Sequence, residues 1–358
     1  MRRAQLIMLA ALLLLLLLSG CTTMGRYNKN PAKIFSTNTA EYYRGTDGLV
    51  FSFLEESPPA TVFEGAEFDV QAVIHNEGSY DLIDDLAAIV TLNYDNKYVE
   101  RITEQAPNVY TQDGQVQLYG KSYFFPQGEK DYFPIDRFRV KPFDSAHERY
   151  LIKFTATIAY PYQTHFSDGV CIDTDPEGIS GRGEACTVSD MRYNGQGAPI
   201  AITAIESQMV PRGYYVQPQY TIHIENKGKG YVSNYNEDHL RVGEQDPVSQ
   251  LIPRVIDLSA PLEPNLIQAR AYLGVDELRC SPVYMQEGKA KIQCVLPENS
   301  IAYNAANYQT TLSVNLSYFY QETFTKEVEV KRSTVYDYEE PTSFDYCAPW
   351  EVLDLVNG

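Results

Sequence analysis

From Gly48 onward the chain consists of short runs in which apolar and polar residues alternate, separated by Pro, Gly, Asn and Asp. A period of two is typical of a β-strand with one buried face, whereas a helix repeats its apolar residues three and four positions apart. Helical periodicity is sparse, with room for one short helical turn between Leu262 and Leu278. Such strands, with turn residues about every 8–12 positions, predict an all-β protein built as an antiparallel sandwich.

One strand and the turn after it occur twice. The residues from Phe68 to Gly78 align with those from Pro218 to Gly228 at an offset of 150. In both copies three apolar residues alternate along the strand, and Asn-x-Gly follows as a turn.

A second match lies towards the end of each copy. The residues from Tyr150 to Phe166 align with those from Tyr308 to Phe324 at an offset of 158, so an insertion separates the two matches. Two collinear matches predict a duplication, with one β domain at residues 47–192 and its copy at residues 197–332.

The N-terminal residues have the features of an export signal. Arg2 and Arg3 precede the apolar run from Leu6 to Leu18, which has 13 residues, and this order is that of a secretory signal peptide. A helix that spans a bilayer needs about 20 residues. The alternatives are an ordinary signal peptide with a chance cysteine, or a short uncleaved anchor.

The end of that run, Leu18-Ser19-Gly20-Cys21, resembles the bacterial lipobox. This resemblance implies cleavage before Cys21 and a diacylglyceryl group on its thiol, which would hold the protein on a membrane. We therefore expect a signal peptide at residues 1–20 and a polar tether at residues 21–46.

The remaining cysteines predict two disulfides. Cys280 and Cys294 are equidistant from Glu287, at the centre of a hairpin loop, and should face each other across that hairpin. Cys171 and Cys186 flank a polar, Gly-rich loop and should close it. Cys347, in the acidic tail at residues 333–358, is then left over and is either buried and inert or free for an intermolecular bridge.

Composition and charge limit the classes of binding partner that we expect. The chain has 28 Tyr, 15 Phe and 20 Pro against a single Trp, a balance that favours strands. Its net charge is −18, and an acidic surface repels phosphate backbones, so no nucleic acid partner is expected. Divalent cations and basic partners stay open.

Metal and catalytic motifs are weakly represented. Between Asp173 and Glu184 the carboxylates of Asp173, Asp175, Glu177 and Glu184 occupy positions 1, 3, 5 and 12, with Gly at position 6, as in an EF-hand calcium loop. A Pro at position 4, a Ser at position 8 and an enclosing disulfide favour a solvated acidic turn instead. The five histidines form no ligand or protease motif, and we predict no catalytic residues.

The tyrosines leave a glycan as a candidate ligand, because aromatic faces stack on sugars. Tyr160, Tyr162, Tyr318 and Tyr320 lie at strand periodicity, so cross-strand packing is the expected role for them. The loop from Tyr303 to Tyr308 is the best exposed candidate. Asn315 begins the sequon Asn-Leu-Ser and should face outward.

The repeated strand and turn, Ile74-His75-Asn76-Glu77-Gly78 and Ile224-Glu225-Asn226-Lys227-Gly228, resemble those of CARDB-type (cell-adhesion-related) domains and their Ig-like relatives on prokaryotic cell surfaces. The resemblance implies two tandem Ig-like β-sandwiches that act as spacer, adhesion or assembly modules. It carries over no catalytic residue.

Together these features predict an exported, membrane-anchored lipoprotein on the extracytoplasmic face, at the cell surface or in the periplasm. We expect no enzymatic activity, a role in adhesion, spacing or envelope structure, and a protein partner in the envelope. The alternative is an accessory or catalytic subunit of an exported hydrolase, with its site in the long loops between Ala106 and Tyr132.

Overall fold

The computed structural model describes residues 42–83, 88–102, 117–142, 148–179, 185–233, 240–241, 255–256, 263–297, 301–303 and 306–333. Every named element in these ranges is a β-strand, so the prediction of an all-β protein is confirmed. Among the residues that the structure describes, none forms a helix long and apolar enough to cross a lipid bilayer.

Two units of strands follow each other along the chain. The first unit comprises β1 (Leu49–Phe53), β2 (Thr61–Phe63), β3 (Glu67–Asn76), β4 (Ile89–Tyr94), β5 (Val99–Arg101), β6 (Lys130–Val140) and β7 (Arg149–Ile172). The second comprises β8 (Met191–Arg192), β9 (Ile200–Arg212), β10 (Tyr215–Asn226), β11 (Tyr231–Ser233), β12 (Leu240–Arg241), β13 (Val255–Ile256), β14 (Leu266–Leu273), β15 (Asp276–Cys280), β16 (Val283–Tyr284), β17 (Lys289–Val295), β18 (Ile301–Ala302) and β19 (Tyr308–Lys331).

The segment with room for a helical turn is instead the strand β14 and the start of β15. β14 pairs antiparallel with β19, from Gln268 opposite Ser317 to Leu273 opposite Leu312. Pairing with a long neighbouring strand decides the conformation here, because local propensity is weaker than tertiary pairing.

Each unit has an outer sheet. In the first unit it has the order β1-β3-β6-β5; in the second, the strands β15, β17, β10, β9 and β8 are neighbours in turn. β15 changes partner along its length, pairing first with β14 and then, from Arg279, with β17. It therefore joins the second outer sheet to the sheet that the two units share.

The shared sheet has the order β4-β7-β19-β14 and is built around two long strands. β7 and β19 pair antiparallel at every residue, from Arg149 opposite Lys331 to Ile172 opposite Tyr308. Each has 24 residues, which is roughly 75 Å of extended chain at about 3.3 Å per residue. Most even-numbered side chains along both strands face the core, and most odd-numbered ones face outward.

Each long strand is used by both units. Phe154, in the first half of β7, packs on Phe68 and Phe138 of its own outer sheet, with ring centroids 5.8 and 5.2 Å apart. Further along β7, the hydroxyl of Thr164 donates to the carbonyl of Ile200, 2.6 Å away in the second unit.

β19 extends from the second unit into the first. The ring of Phe324 lies 5.1 Å from that of Phe51 in the first unit, and the end of β19 pairs in parallel with β2. The buried residues of both units accordingly form one hydrophobic cluster. The arrangement as two tandem Ig-like domains is therefore not confirmed, since the predicted halves share a sheet and a core.

The duplication appears in the pairing as a pseudo-two-fold axis. An offset of 158 relates the two long strands in the sequence alignment, and the observed register places Pro161 opposite Phe319. These two residues are equivalents at that offset, so the axis passes between them. The two long strands are therefore related by this axis.

Both predicted cysteine pairs are bonded. Cys171 joins Cys186, and Cys280 joins Cys294, which lies directly opposite it on β17. Disulfides persist where the environment is oxidising, so the two bonds indicate an extracytoplasmic location.

Replacing Cys171 and Cys186 together by serine is expected to lower the free energy of unfolding by about 3 kcal/mol, because a loop of this length loses its closure in the unfolded chain. Urea denaturation of the oxidised protein would measure the change. The double serine variant at Cys280 and Cys294, whose loop is of nearly equal length, serves as the matched comparison. An unchanged urea midpoint in both would contradict this account.

Candidate functional site

Four tyrosines surround the pseudo-two-fold axis. Tyr160 and Tyr162 on β7 lie opposite Tyr320 and Tyr318 on β19, and all four side chains are fully buried. Their ring centroids are 5.6 to 6.4 Å apart around the square that they form. The prediction that these tyrosines pack across the strands is confirmed. We call this group the tyrosine quartet.

Two hydroxyls of the quartet hold the Asn-x-Gly turns. The hydroxyl of Tyr162 donates to Oδ1 of Asn76 at 3.3 Å, and that of Tyr320 donates to Oδ1 of Asn226 at 3.2 Å. The same oxygens accept the backbone N–H groups of Gly78 and Gly228. The repeated sequence pattern therefore encodes one hydrogen-bonded turn, built twice.

Glycine is required in these turns because the hydroxyls of Tyr162 and Tyr320 lie very close to the backbone of Gly78 and Gly228. A Cβ atom on Gly78 would lie 1.7 Å from the hydroxyl oxygen of Tyr162, and one on Gly228 would lie 2.1 Å from that of Tyr320. Both distances are far inside van der Waals contact. Any side chain at either position would have to displace a buried tyrosine.

The other two hydroxyls bind the strands at the start of each unit. The N–H of Leu49 donates to the hydroxyl oxygen of Tyr160 at 3.2 Å, and the N–H of Ile200 donates to that of Tyr318 at 3.4 Å. Each buried hydroxyl thus has a backbone or side-chain partner, as buried polar groups require. The quartet fixes the junction of the units.

Burial controls the ionisation of the quartet. Desolvation raises the pKa of Tyr160, Tyr162 and Tyr318 well above the usual value near 10, and it raises that of Tyr320 to about 12. The neutral tyrosine is the form that the folded protein stabilises. The unfolded chain releases these protons near pH 10, whereas the folded protein keeps them.

Stability is therefore expected to be constant with respect to these groups below about pH 10 and to fall steeply above it. Each tyrosine contributes a slope of about 1.4 kcal/mol per pH unit until its own folded pKa is reached. Urea midpoints between about pH 9 and pH 11 would measure this. Tyr320→Phe should remove one tyrosine's share of the slope. A protein equally stable across this range would refute the prediction.

Several predicted site residues lie outside the described part of the chain. These are the lipidation residue Cys21, the left-over Cys347 and the calcium candidate Glu184. Their assignments stay predictions.

The described carboxylates of the calcium candidate are engaged in local contacts. Oδ1 of Asp173 accepts the N–H of Asp175, and Oδ1 of Asp175 accepts that of Ile179. The hydroxyl of Tyr303 donates to Glu177 at 3.2 Å. Within the described ranges, no three His, Cys, Asp or Glu side chains are grouped as metal ligands.

The exposed face of the shared sheet is polar and carries pairs of hydroxyls across β7 and β19. Thr155 faces Thr325, Thr157 faces Thr323, and Ser167 faces Ser313, with oxygens 3.2 to 3.5 Å apart. On the same face Nδ1 of His165 lies 2.9 Å from Oδ1 of the half-buried Asn315. The sequon asparagine is thus on the outward face, in contact with a histidine.

A groove of about 730 Å³ opens beside this histidine. Tyr43, Arg44, His165, Tyr193 and Asn315 are among the residues that line it. The hydroxyl of Tyr193 donates to Asp168 at 2.8 Å, and burial together with this carboxylate raises the pKa of Tyr193. An aromatic ring, a guanidinium and amide groups could hold a small polar ligand such as a sugar.

An exposed aromatic loop lies between β5 and β6. In the segment from Tyr119 to Phe125, the side chains of Tyr123 and Phe124 are 72% and 84% exposed. The neighbouring Tyr132 on β6 is also exposed, with the ammonium of Lys130 over its ring. Exposed clusters of this kind mark interaction surfaces. We call residues 119–125 the aromatic loop.

The sequence indicated this region only as a long loop. The run Tyr123-Phe124-Phe125 was the available signal, but its composition is that of a strand. In the loop that the sequence favoured for glycan contact, Tyr303 is partly buried against the core, whereas Tyr308 is 42% exposed.

No protein-family model matches the chain, and no curated protein matches it.

Proposed function

We propose that this chain is a non-enzymatic lipoprotein held on the extracytoplasmic face of a membrane through Cys21. It acts in adhesion, or as a spacer or structural subunit of an envelope assembly. Its partners are the membrane and a protein of the envelope.

The pairing of β7 with β19 carries this proposal. A spacer or structural subunit has to keep a fixed geometry between its anchor and its partner. A ladder of 24 residue pairs runs without a break through both units, and the tyrosine quartet ties the outer sheets to its centre. Two units that share strands cannot rotate about a linker, so the body acts as a rigid part.

The two disulfides support the location. One bond joins the end of β7 to the segment that leads into the second unit, and the other lies within the second unit; disulfides persist in an oxidising compartment. The leader, ending in a Cys with two small residues before it, supports acylation there.

The test begins with the mass of the protein extracted from membranes, measured with and without reduction. The expected mass is that of a chain starting at Cys21 with a diacylglyceryl group and two internal disulfides. A mass that corresponds to the unmodified, uncleaved chain would reject the anchor.

The role itself is tested by crosslinking intact cells and purifying the protein from their membranes. A stoichiometric protein partner is expected. Capture of no partner, together with a clear thermal shift by a small ligand, would overturn the proposal in favour of a hydrolase subunit.

A further inference from the structure

The aromatic loop is braced by the chain around it. The N–H of Ser122 donates to the carbonyl of Phe125 at 3.0 Å, and the N–H of Glu129 donates to the carbonyl of Tyr119 at 2.9 Å. The rings of Tyr119 and Phe125 stack with centroids 5.0 Å apart and planes 5° from parallel. Tyr123 and Phe124 therefore project from a preformed turn into solvent.

The described chain starts at Tyr42, beside the base of this loop. The carbonyl oxygen of Tyr42 lies 3.2 Å from the Cβ position of Gly197, and the carbonyl of Gly197 accepts the N–H of Ser79 at 2.8 Å. The next carbonyl back, that of Gly78, accepts the N–H of Lys121 at 2.6 Å. The start of the described chain and the base of the aromatic loop thus lie on the same region of the surface.

The tether limits how far this region can be from a membrane. Twenty residues separate Cys21 from Tyr42, so the two are at most about 75 Å apart even in a fully extended chain. If residues 22–41 are less than fully extended, the aromatic loop lies closer to the bilayer than this maximum distance.

The charges of the loop suit a lipid interface. No acidic residue occurs between Leu118 and Gly128, and Lys121 is the only charged residue there, in a chain whose net charge is −18. Tyr and Phe are enriched at the level of lipid headgroups, where one end of the ring meets water. The carboxylates of Glu129 and Asp81 accept the N–H groups of Tyr119 and Gly120 at the base of the loop, whereas Tyr123 and Phe124 are exposed and uncharged.

We propose that the aromatic loop inserts into the headgroup region of the membrane that carries the lipid anchor, with Tyr123 and Phe124 as the inserted side chains. The loop is then a second attachment point, which fixes the orientation of the body on the surface. This inference depends on the proposed lipid anchor.

The test uses the acylated full-length protein in phosphatidylcholine–phosphatidylglycerol vesicles and in detergent-free solution after lipase hydrolysis of its ester-linked acyl chains. Hydroxyl-radical footprinting with mass spectrometry reports side-chain accessibility. We expect oxidation of Tyr123 and Phe124 to fall about fivefold or more on vesicles. Tyr214 and Tyr231, which are 89% and 78% exposed elsewhere on the second unit, are the internal controls and should not change.

A double variant, Tyr123→Ser with Phe124→Ser, separates insertion from simple proximity. The stacked pair Tyr119 and Phe125 stays in place, so the loop should keep its fold, and an unchanged urea midpoint would verify this. In this double variant, Tyr119 and Phe125 should be oxidised to the same extent on vesicles and in solution. Tyr214→Ser is the matched control and should leave the footprint of the loop unchanged.

The outcomes are distinct. A protein that lacks acyl chains by mass and does not float with vesicles refutes the proposed anchor. A protein that floats while Tyr123 and Phe124 keep their full oxidation refutes insertion and leaves the anchor standing. Protection of these residues on whole cells but not on vesicles also overturns the lipid assignment, in favour of a protein or glycan on the loop.

Discussion

Residues 47–192 and residues 197–332, produced as separate polypeptides, are each expected to be unfolded. The first fragment lacks the end of β19, which supplies the buried side chains of Val328 and Val330 to the first unit. The second lacks the end of β7, with its buried Val170 and Ile172. Two such side chains contribute about 3–6 kcal/mol, comparable to the whole stability of a small domain.

Circular dichroism and chemical denaturation of each fragment would test this, with the full-length protein as the control. Neither fragment should show a cooperative transition, while a mixture of the two should recover one, because each supplies the strand that the other lacks. A cooperative transition in either fragment alone would show that the halves are independent domains, as the sequence suggested.

Asn76→Ala is expected to destabilise the protein by about 4 kcal/mol, because one buried amide satisfies several groups at once. Its Nδ2 donates to the carbonyls of Tyr80 and Leu118, and its Oδ1 accepts from Gly78 and Tyr162. Alanine would remove all four bonds and leave the N–H of Gly78 and the carbonyl of Tyr80 without this partner, although the carbonyl of Leu118 would keep the N–H of Leu82.

Asn226→Ala is the matched control from the second unit. Asn226 is half-buried rather than fully buried, and its Nδ2 donates to one carbonyl, that of Gly230. We expect a loss of about 2 kcal/mol, half that at Asn76. Urea denaturation of both variants measures the difference. Equal losses would mean that the additional contacts of Asn76 contribute nothing.

Local patterns predicted the elements well. The period-two runs became strands, the hairpin spacing of Cys280 and Cys294 placed them opposite each other, and the four tyrosines pack where alternation put them. Each of these depends on residues close in the sequence or on which face of a strand is buried.

The partner of each long strand could not be predicted in the same way. Alternation shows which face of β7 is buried, but it does not show which strand lies beside it. Because β7 and β19 carry the same pattern, pairing within a unit and pairing between units look alike in the sequence. Phe51 and Phe324 are in contact although they lie more than 150 residues apart in the sequence. Their contact depends on the register between strands that are distant along the chain.

The candidate site was harder to predict from the sequence than the pairing of the long strands. The resemblance to a lipobox depends on a few consecutive residues and is visible in the sequence, whereas the aromatic loop is a surface that exists only after folding. Strand-like composition at Tyr123-Phe124-Phe125 gives no sign of exposure, because exposure is decided by the backbone hydrogen bonds to Gly78 and Phe125.

The pseudo-two-fold axis has one more consequence. A true homodimer of a single unit would display every loop twice, so an interfacial loop would appear on both sides of its axis. Covalent duplication removes that constraint. Here the first unit leads into β6 through the aromatic loop, while the second enters β17 through a tight turn at Glu287 and Gly288. The two units therefore differ in the loops that they expose, although the pairing of β7 with β19 is symmetric. One unit carries the aromatic loop, while the other keeps a tight turn at the corresponding place.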